Sequence, residues 1–438
     1  MNNNKELLKI KINEKPKNIF LWILLSFQHV FAMFGATVLV PALTGLDPAV
    51  AIFCSGIGTL IYITCTKGKV PVYLGSSFAY ISAISLSLQN GGYGAVASGL
   101  MVVGITYAIV SVILRFTGIN WLKKLMPPIV VGPMIMVIGL GLASSAVTNA
   151  GLSADAFNAQ SALIAAFTLL VTALVSIIGK GFFKIIPILI GIISGYLFAL
   201  ALGAVDLSSF NNISLFAAPP FQFAFIDYQF DWSVIPMFLP LALVTIAEHI
   251  GDHTVLSSIC GKDFIKDPGL KQTLLGDGLA SLVAGLIGGP ANTTYGENTG
   301  VIAITKVGSV YVIGLAAIFA MCLSFLQPVA AFIYSIPAPV MGGISIMLFG
   351  IIASNGVKIL IENKTNFNDS RNLVIAASML ILGIGGAAFN ITSTLTISGM
   401  ALAALVGMIL NLVLPHNKDL EGREFDKLIN EEDMNIDV

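Results

Sequence analysis

Four carboxylates stand in stretches too apolar to expect them: Glu248, Asp252, Asp277 and Glu297. An ionised group at the centre of a bilayer costs about 2.5–3.5 kcal/mol on insertion scales, so it faces protein or a wet cavity. It is then either paired between helices or held for binding, and both readings stand for Asp277. Glu248 and Asp252 are four positions apart and share one helical face. One can accept a ligand's hydrogen bond while the other shares its proton, because two carboxylates one turn apart in low dielectric cannot both ionise cheaply. Glu297 lies in the polar stretch Gly288-Gly289-Pro290-Ala291-Asn292-Thr293-Thr294-Tyr295-Gly296-Glu297-Asn298-Thr299-Gly300, with apolar runs on both sides. Proline there denies a regular helix. Broken backbone at membrane depth is tolerated only inside protein or beside a wet cavity, so this stretch reads as half of a ligand site.

Histidines stand beside the acids. His249-Ile-Gly-Asp252-His253 formally matches the His-x-x-acid-His pattern of zinc hydrolases. That chemistry needs a third ligand and a water-activating carboxylate, and His29 is the only other histidine in an apolar run. Hydrogen bonding between helices is the alternative for both histidines, and neither a metal nor a catalytic residue is expected. Gln28-His29 is a second polar pair, read as glue between helices or as a ligand contact. Phe78 sits in another break, Pro71 to Tyr80, where it either packs or stacks on a planar ligand.

These residues need a membrane scaffold to hold them. Of 438 residues 56% are hydrophobic and 10% charged, with a mean hydropathy of +0.91, where a soluble domain carries about a quarter charged. The chain is therefore an all-α polytopic membrane protein, with the lipid bilayer as its surroundings. Its net charge of -1 and lack of a basic patch give no sign of nucleic-acid binding. Cys54, Cys65, Cys260 and Cys322 show no paired or metal-like spacing and read as small hydrophobes. No cleavable signal peptide is evident, since the first apolar run is long enough to span.

Apolar runs fall near 18–43, 48–66, 70–89, 94–116, 128–148, 161–179 and 185–204, then near 233–260, 272–289, 293–306, 309–330, 338–357, 372–389 and 395–414. That is about fourteen spans. With the N-terminus cytoplasmic, all 22 Lys and Arg fall in the tails and even-numbered loops, while the opposite loops hold only acids such as Asp47, Asp155, Asp206, Asp227 and Asp231. Both termini are thus expected inside. The halves also repeat. Pro71 and Pro290 open the two breaks, and the pattern from Pro128 through Gly132 to Gly139 recurs from Pro339 through Gly343 to Gly350. Seven spans per half make the copies inverted. Inverted repeats interrupted at matching positions mark a secondary transporter with its ligand between the breaks.

The same stretches resemble the nucleobase–ascorbate transporter family, and within it the bacterial uracil permeases. The matching residues are Phe27-Gln28-His29, Gly35 to Pro41, Tyr73 to Ala79, Ala247-Glu248-His249-Ile250-Gly251 and Asn292 to Asn298. The family signature Glu-Asn-x-Gly-x-x-x-x-Thr-Lys/Arg is met by Glu297, Asn298, Gly300, Thr305 and Lys306, and the resemblance runs from about Phe20 to Leu414. It implies two inverted seven-span repeats with short antiparallel strands at the breaks in spans three and ten. It implies a core domain (18–125 and 232–335), a gate domain (126–231 and 336–414) and cytoplasmic tails at 1–17 and 415–438. Carried over, Glu248 and Glu297 bind the base, Tyr295 and Gly296 offer backbone groups, Phe78 stacks on the ring and Ser345 faces the site. Proton coupling falls to Glu248, Asp252 and Glu297, with Gln28, His29, His249 and Asn298 in support. Proton-coupled uptake of uracil by alternating access follows, in a plasma-membrane (inner-membrane) homodimer with no cofactor beyond the proton. Two departures stand out: Asp252 replaces a histidine one turn after the binding Glu, and Phe349 a tyrosine after Ser345.

The chemistry of the residues fits such a ligand. A pyrimidinedione offers two N–H donors and two carbonyls on a flat ring, which two carboxylates and freed backbone N–H groups can meet. Competing readings are a proton symporter for xanthine or urate, an anion transporter or channel on the same architecture, and an intramembrane zinc hydrolase.

Overall fold

A computed structural model describes residues 7–211, 213–390 and 396–415. The expected C-terminal tail, save Pro415, and the first six residues lie outside the described residues. The first half holds α1 (Ile19–Thr44), α2 (Pro48–Cys65), a strand β1 (Leu74–Ser76), α3 (Ile81–Thr117), α4 (Asn120–Leu125), α5 (Pro128–Gly141), α6 (Ala143–Asn149), α7 (Ala159–Ile178) and α8 (Pro187–Ala201). The second half holds α9 (Ile235–Cys260), α10 (Leu270–Leu286), β2 (Asn292–Thr294), α11 (Gly296–Thr305), α12 (Val310–Ser324), α13 (Gln327–Ser335) and α14 (Ala338–Glu362). It closes with α15 (Ser370–Ile384), β3 (Ala388–Asn390), β4 (Thr396–Ser398) and α16 (Gly399–Val413).

Helix starts follow local chemistry. Asn18, Asp47, Asn158 and Asp369 each cap a helix by accepting a hydrogen bond from a first-turn N–H. Among the described residues seven helical stretches are long and apolar enough to cross a membrane, and α8, α12, α15 and α16 are shorter apolar helices. The runs expected at 70–89 and 94–116 meet inside α3 at Gly92, whose φ of 65° and ψ of -163° break the helix where a side chain would be strained. The run expected at 128–148 divides into α5 and α6 at Leu142. Between the last two expected runs the chain forms an unanticipated antiparallel pair, β3 with β4 (Ala388↔Ser398). Its β-branched Thr396 and Ile397 read as part of a helical apolar run, because short apolar runs do not separate strand from helix.

The two breaks meet at the centre. β1 pairs antiparallel with β2 in the register Leu74↔Thr294, Gly75↔Thr293, Ser76↔Asn292. Bonds from Ser77 N–H to the Ala291 carbonyl (2.9 Å) and from Tyr295 N–H to the Tyr73 carbonyl (3.1 Å) extend the ladder. Flanking helices take up the remaining polar groups. Thr59 Oγ1 accepts from Leu74 N–H at 2.9 Å, and Ser281 Oγ accepts from Asn292 N–H at 3.1 Å. The Asn292 side chain donates to the Cys54 carbonyl at 3.1 Å. With its backbone satisfied inside protein, the broken segment is stable at membrane depth. Gly75 is required here, since the Tyr295 ring lies where a Cβ would project.

Around this centre α10 packs on α3 and α2, and α12 packs on α2 and α1. Beside it α14 packs on α5 and α7, and α15 packs on α16 and α5. The repeated proline motif opens α5 and α14, two helices in contact, with proline in the first turn of each. The basic loops gather at one end. Lys69 Nζ reaches Asp267 at 2.6 Å, Lys262 reaches the same carboxylate at 3.6 Å, and Lys9 N–H of the N-terminal arm donates to the Lys306 carbonyl at 2.7 Å. At the other end Tyr334 hydroxyl donates to Asp47, the cap of α2.

Candidate substrate site

Helix α9 presents two chemically different faces. On the inner face His249 Nδ1 lies 2.7 Å from Asp277 Oδ2 and its Nε2 lies 2.9 Å from Thr273 Oγ1, both on α10. His253 Nδ1 lies 2.8 Å from the His249 carbonyl, and its Nε2 meets the hydroxyl of Tyr62 on α2. The imidazoles stack with centroids 3.9 Å apart, and both residues are buried. Every ring nitrogen is engaged, so none remains for a zinc ion, and the histidines read as bonds between helices. Among the described residues no cluster of three His, Cys, Asp or Glu side chains could hold a metal.

The other face carries Glu248 and Asp252, both half-buried. Thr294 Oγ1 in β2 donates to Asp252 Oδ2 at 2.6 Å, pinning α9 to the second break. This bond brings the acids together: Glu248 stands one turn from Asp252, and Glu297 follows Thr294 by three residues. The Glu248 carboxylate has no hydrogen-bond partner among the described residues. Glu297 occupies the first turn of α11, where the positive end of the helix dipole favours a carboxylate.

Tyr295 is buried and works as structure. Its N–H bonds to Tyr73, its carbonyl accepts from Thr299 N–H at 3.1 Å, and its hydroxyl donates to the Ser76 carbonyl at 3.0 Å. Both its backbone groups are taken, which narrows the expected backbone offer to Gly296. That residue is exposed at the helix start, with nothing within 4 Å of the place a Cβ would fill. Its N–H is one of the donors a helix start leaves without an intrahelical partner.

Phe78 is half-buried beside the first break, edge-on to Phe349 of α14 at 6.5 Å. Asn298 Nδ2 lies 3.2 Å from His29 Nδ1 and 3.0 Å from the His29 carbonyl, locking α11 to α1. Gln28 Oε1, Ser77 Oγ and Ser345 Oγ are buried with no partner among the described residues. Buried polar groups are normally paired, so such atoms point to a ligand or water. Sequence reasoning passes over Ser77, Thr294 and Tyr62. Thr294 lay within reach of it, as a hydroxyl inside the break, whereas nothing in the spacing tied Tyr62 to His253.

Burial is uneven along α9. Along the face of α9 that bears Glu248, the residues Met237, Leu241 and Val244 are buried, while Gly251, Val255 and Ser258 are exposed. The more exposed half is the one ending near Lys262. A cavity of about 340 Å³ lined by Asn158, Asp206 and Tyr334 lies at the opposite end, away from the acids.

Comparison with known proteins identifies the family of the chain. A family model described as "Permease family" matches residues 20–392. A uracil permease of Bacillus caldolyticus is 48% identical over 94% of this chain and 95% of its own. One from Bacillus subtilis (strain 168) is 47% identical over 95% and 97%, and one from Escherichia coli (strain K12) 44% over 92% and 93%. Among solved structures, the transmembrane domain of a cyanobacterial bicarbonate transporter superposes with a TM-score of 0.63 at 13% identity, over 92% of this chain and 100% of that one. A murine solute carrier 26 anion transporter in the inward-facing state reaches 0.68 at 12% identity, over 92% and 69%. At that identity these two show the shared fold alone.

Proposed function

The chain belongs to the permease family of nucleobase transporters, and from that premise we propose that it imports uracil together with a proton by alternating access. It is a multi-pass membrane permease, not an enzyme. The observation that carries the reading is the half-buried, unpartnered Glu248 placed by the Asp252–Thr294 bond beside the helix start that holds Glu297 and Gly296. Two carboxylates accept the ring's two N–H groups, the Gly296 N–H meets a carbonyl, and Phe78 covers the ring face. A site built to bond these edges rejects analogues lacking them, whose absence would leave its own groups unpaired. The relatives named uracil permeases favour uracil over the purine alternative.

A neutral base gains nothing from the membrane potential, whereas one proton adds about 2.3 kcal/mol per 100 mV. Asp252, standing where the resembling permeases have a histidine, shares that proton with Glu248, and Glu297 remains a candidate. About fourteen spans in two inverted repeats would serve as core (18–125, 232–335) and gate (126–231, 336–414), with packing inside each group supporting the division. With the basic end cytoplasmic, as the positive-inside rule favours, the site is open inward, and the protein would work as a homodimer. Uptake of radiolabelled uracil against xanthine in a permease-deficient host is the test. Saturable uracil uptake that xanthine does not compete is expected, and preferential xanthine uptake would overturn the assignment.

A further inference from the structure

A groove of about 640 Å³ lies at the basic end, between α2 and α12 and beside the start of α1. Leu60 and Ile63 of α2 face Leu315 and Ile318 of α12 across it, and Gly314 keeps the floor open, its missing Cβ standing 3.8 Å from Ile63. Its walls are fixed by Trp22 Nε1, which donates to the Tyr311 carbonyl at 2.9 Å. The mouth is cationic. Lys67 lines it, and Lys15 Nζ lies 4.1 Å above the Trp22 ring. Glu14, the nearest acid in sequence, is not among the groove's lining residues, and its carboxylate accepts from Lys11 N–H at 3.0 Å.

Lys67 has a φ of 53° and follows the C-cap of α2, with Gly68 N–H bonded to the Ile63 carbonyl at 2.8 Å. Glycine adopts this left-handed position freely, and a lysine does so at a cost. Lys306 and Lys364 take the same position after α11 and α14, where the helix dipole favours a basic residue, and what sets Lys67 apart is that it lines the groove. From Leu60 to Lys67 the groove passes from apolar floor to charged mouth over about 10 Å of helix. Trp22 and Tyr311 lie in the first turns of α1 and α12, and aromatic residues at the ends of spanning helices are typical of a membrane interface.

We propose that this groove holds one anionic phospholipid of the leaflet at the basic end, with its phosphate between Lys15 and Lys67 and an acyl chain along the α2–α12 floor. The two lysines complement the phosphate, and a zwitterionic lipid would bring a cation against them. Lysines near such a surface add attraction one by one, so together they set a preference of about tenfold.

The test uses purified, delipidated full-length protein, with retention of dioleoyl-phosphatidylglycerol and dioleoyl-phosphatidylcholine measured by native mass spectrometry. Wild type should retain the anionic lipid about tenfold more strongly, and Lys15→Gln with Lys67→Gln should abolish that preference while the protein still elutes as folded. Gly314→Phe, which fills the floor, should lower retention of both lipids. Equal retention of the two lipids by wild type, or an unchanged preference in the double variant, would overturn the proposal, even if Gly314→Phe fails to fold.

Discussion

Each polar atom near the break is committed to the protein or left for something else. The imidazoles of His249 and His253 are committed, and the carboxylate of Glu248 is left. Glu297→Gln replaces one acceptor oxygen with a donor aimed at a donor, and a hydrogen bond to a charged group is worth about 1.5–3 kcal/mol. Uracil affinity should therefore fall more than tenfold, and calorimetry on folded variant showing wild-type affinity would make Glu297 structural only. Asp252→Asn keeps an oxygen that Thr294 can still bond but removes a titrating group. Proteoliposomes of this variant should exchange uracil normally yet fail to concentrate it when a pH gradient is imposed. Accumulation equal to wild type would remove Asp252 from the coupling. Asp277→Leu strands His249 Nδ1 without its acceptor, at a cost of about 1–3 kcal/mol. Its unfolding temperature in detergent should drop, while Asp277→Asn, which keeps an oxygen, should lose less. No drop in either would mean that the pair does not hold α9 to α10.

The elements that matter most are the shortest. Three-residue strands are too short to stand alone, and β1 and β2 persist because α2 and α10 supply side-chain partners to their backbone and the Asn292 side chain ties β2 to the α2 backbone. Gly75→Val would drive a side chain into the Tyr295 ring, which is itself pinned through its hydroxyl to Ser76. Overpacking of this kind costs about 1–3 kcal/mol or more. Little folded protein should survive size-exclusion chromatography, whereas Gly141→Ala, with nothing within 4 Å, should behave as wild type. Full recovery of Gly75→Val would show that the strand contact tolerates displacement.

Across the whole molecule the basic loops converge on one end, and Asp47 and Asp206 lie at the other. If that basic end is cytoplasmic, a cysteine at Ser208, in a background without native cysteines, should react with an impermeant reagent on intact cells. Reaction only after permeabilisation would invert the proposed topology.

The sequence by itself determined that the chain lives in a bilayer, roughly where its apolar runs fall, where two breaks interrupt them, and which acids are out of place. These follow from rules that act along the chain: hydropathy over a span, proline at a break, the cost of a charge in lipid. Only the tertiary structure decided that Thr294 holds Asp252, that Tyr62 engages His253 and that Asp277 engages His249. The partners in these contacts are separated by 42, 191 and 28 positions, and no local preference encodes such pairs. It likewise decided that the backbone of Tyr295 is spent on Tyr73, beside β1, and on its own helix while Gly296 stays open. A freed N–H in the sequence is an offer to any acceptor within reach, and the folded chain had its own acceptors, the Tyr73 carbonyl for one, already in place.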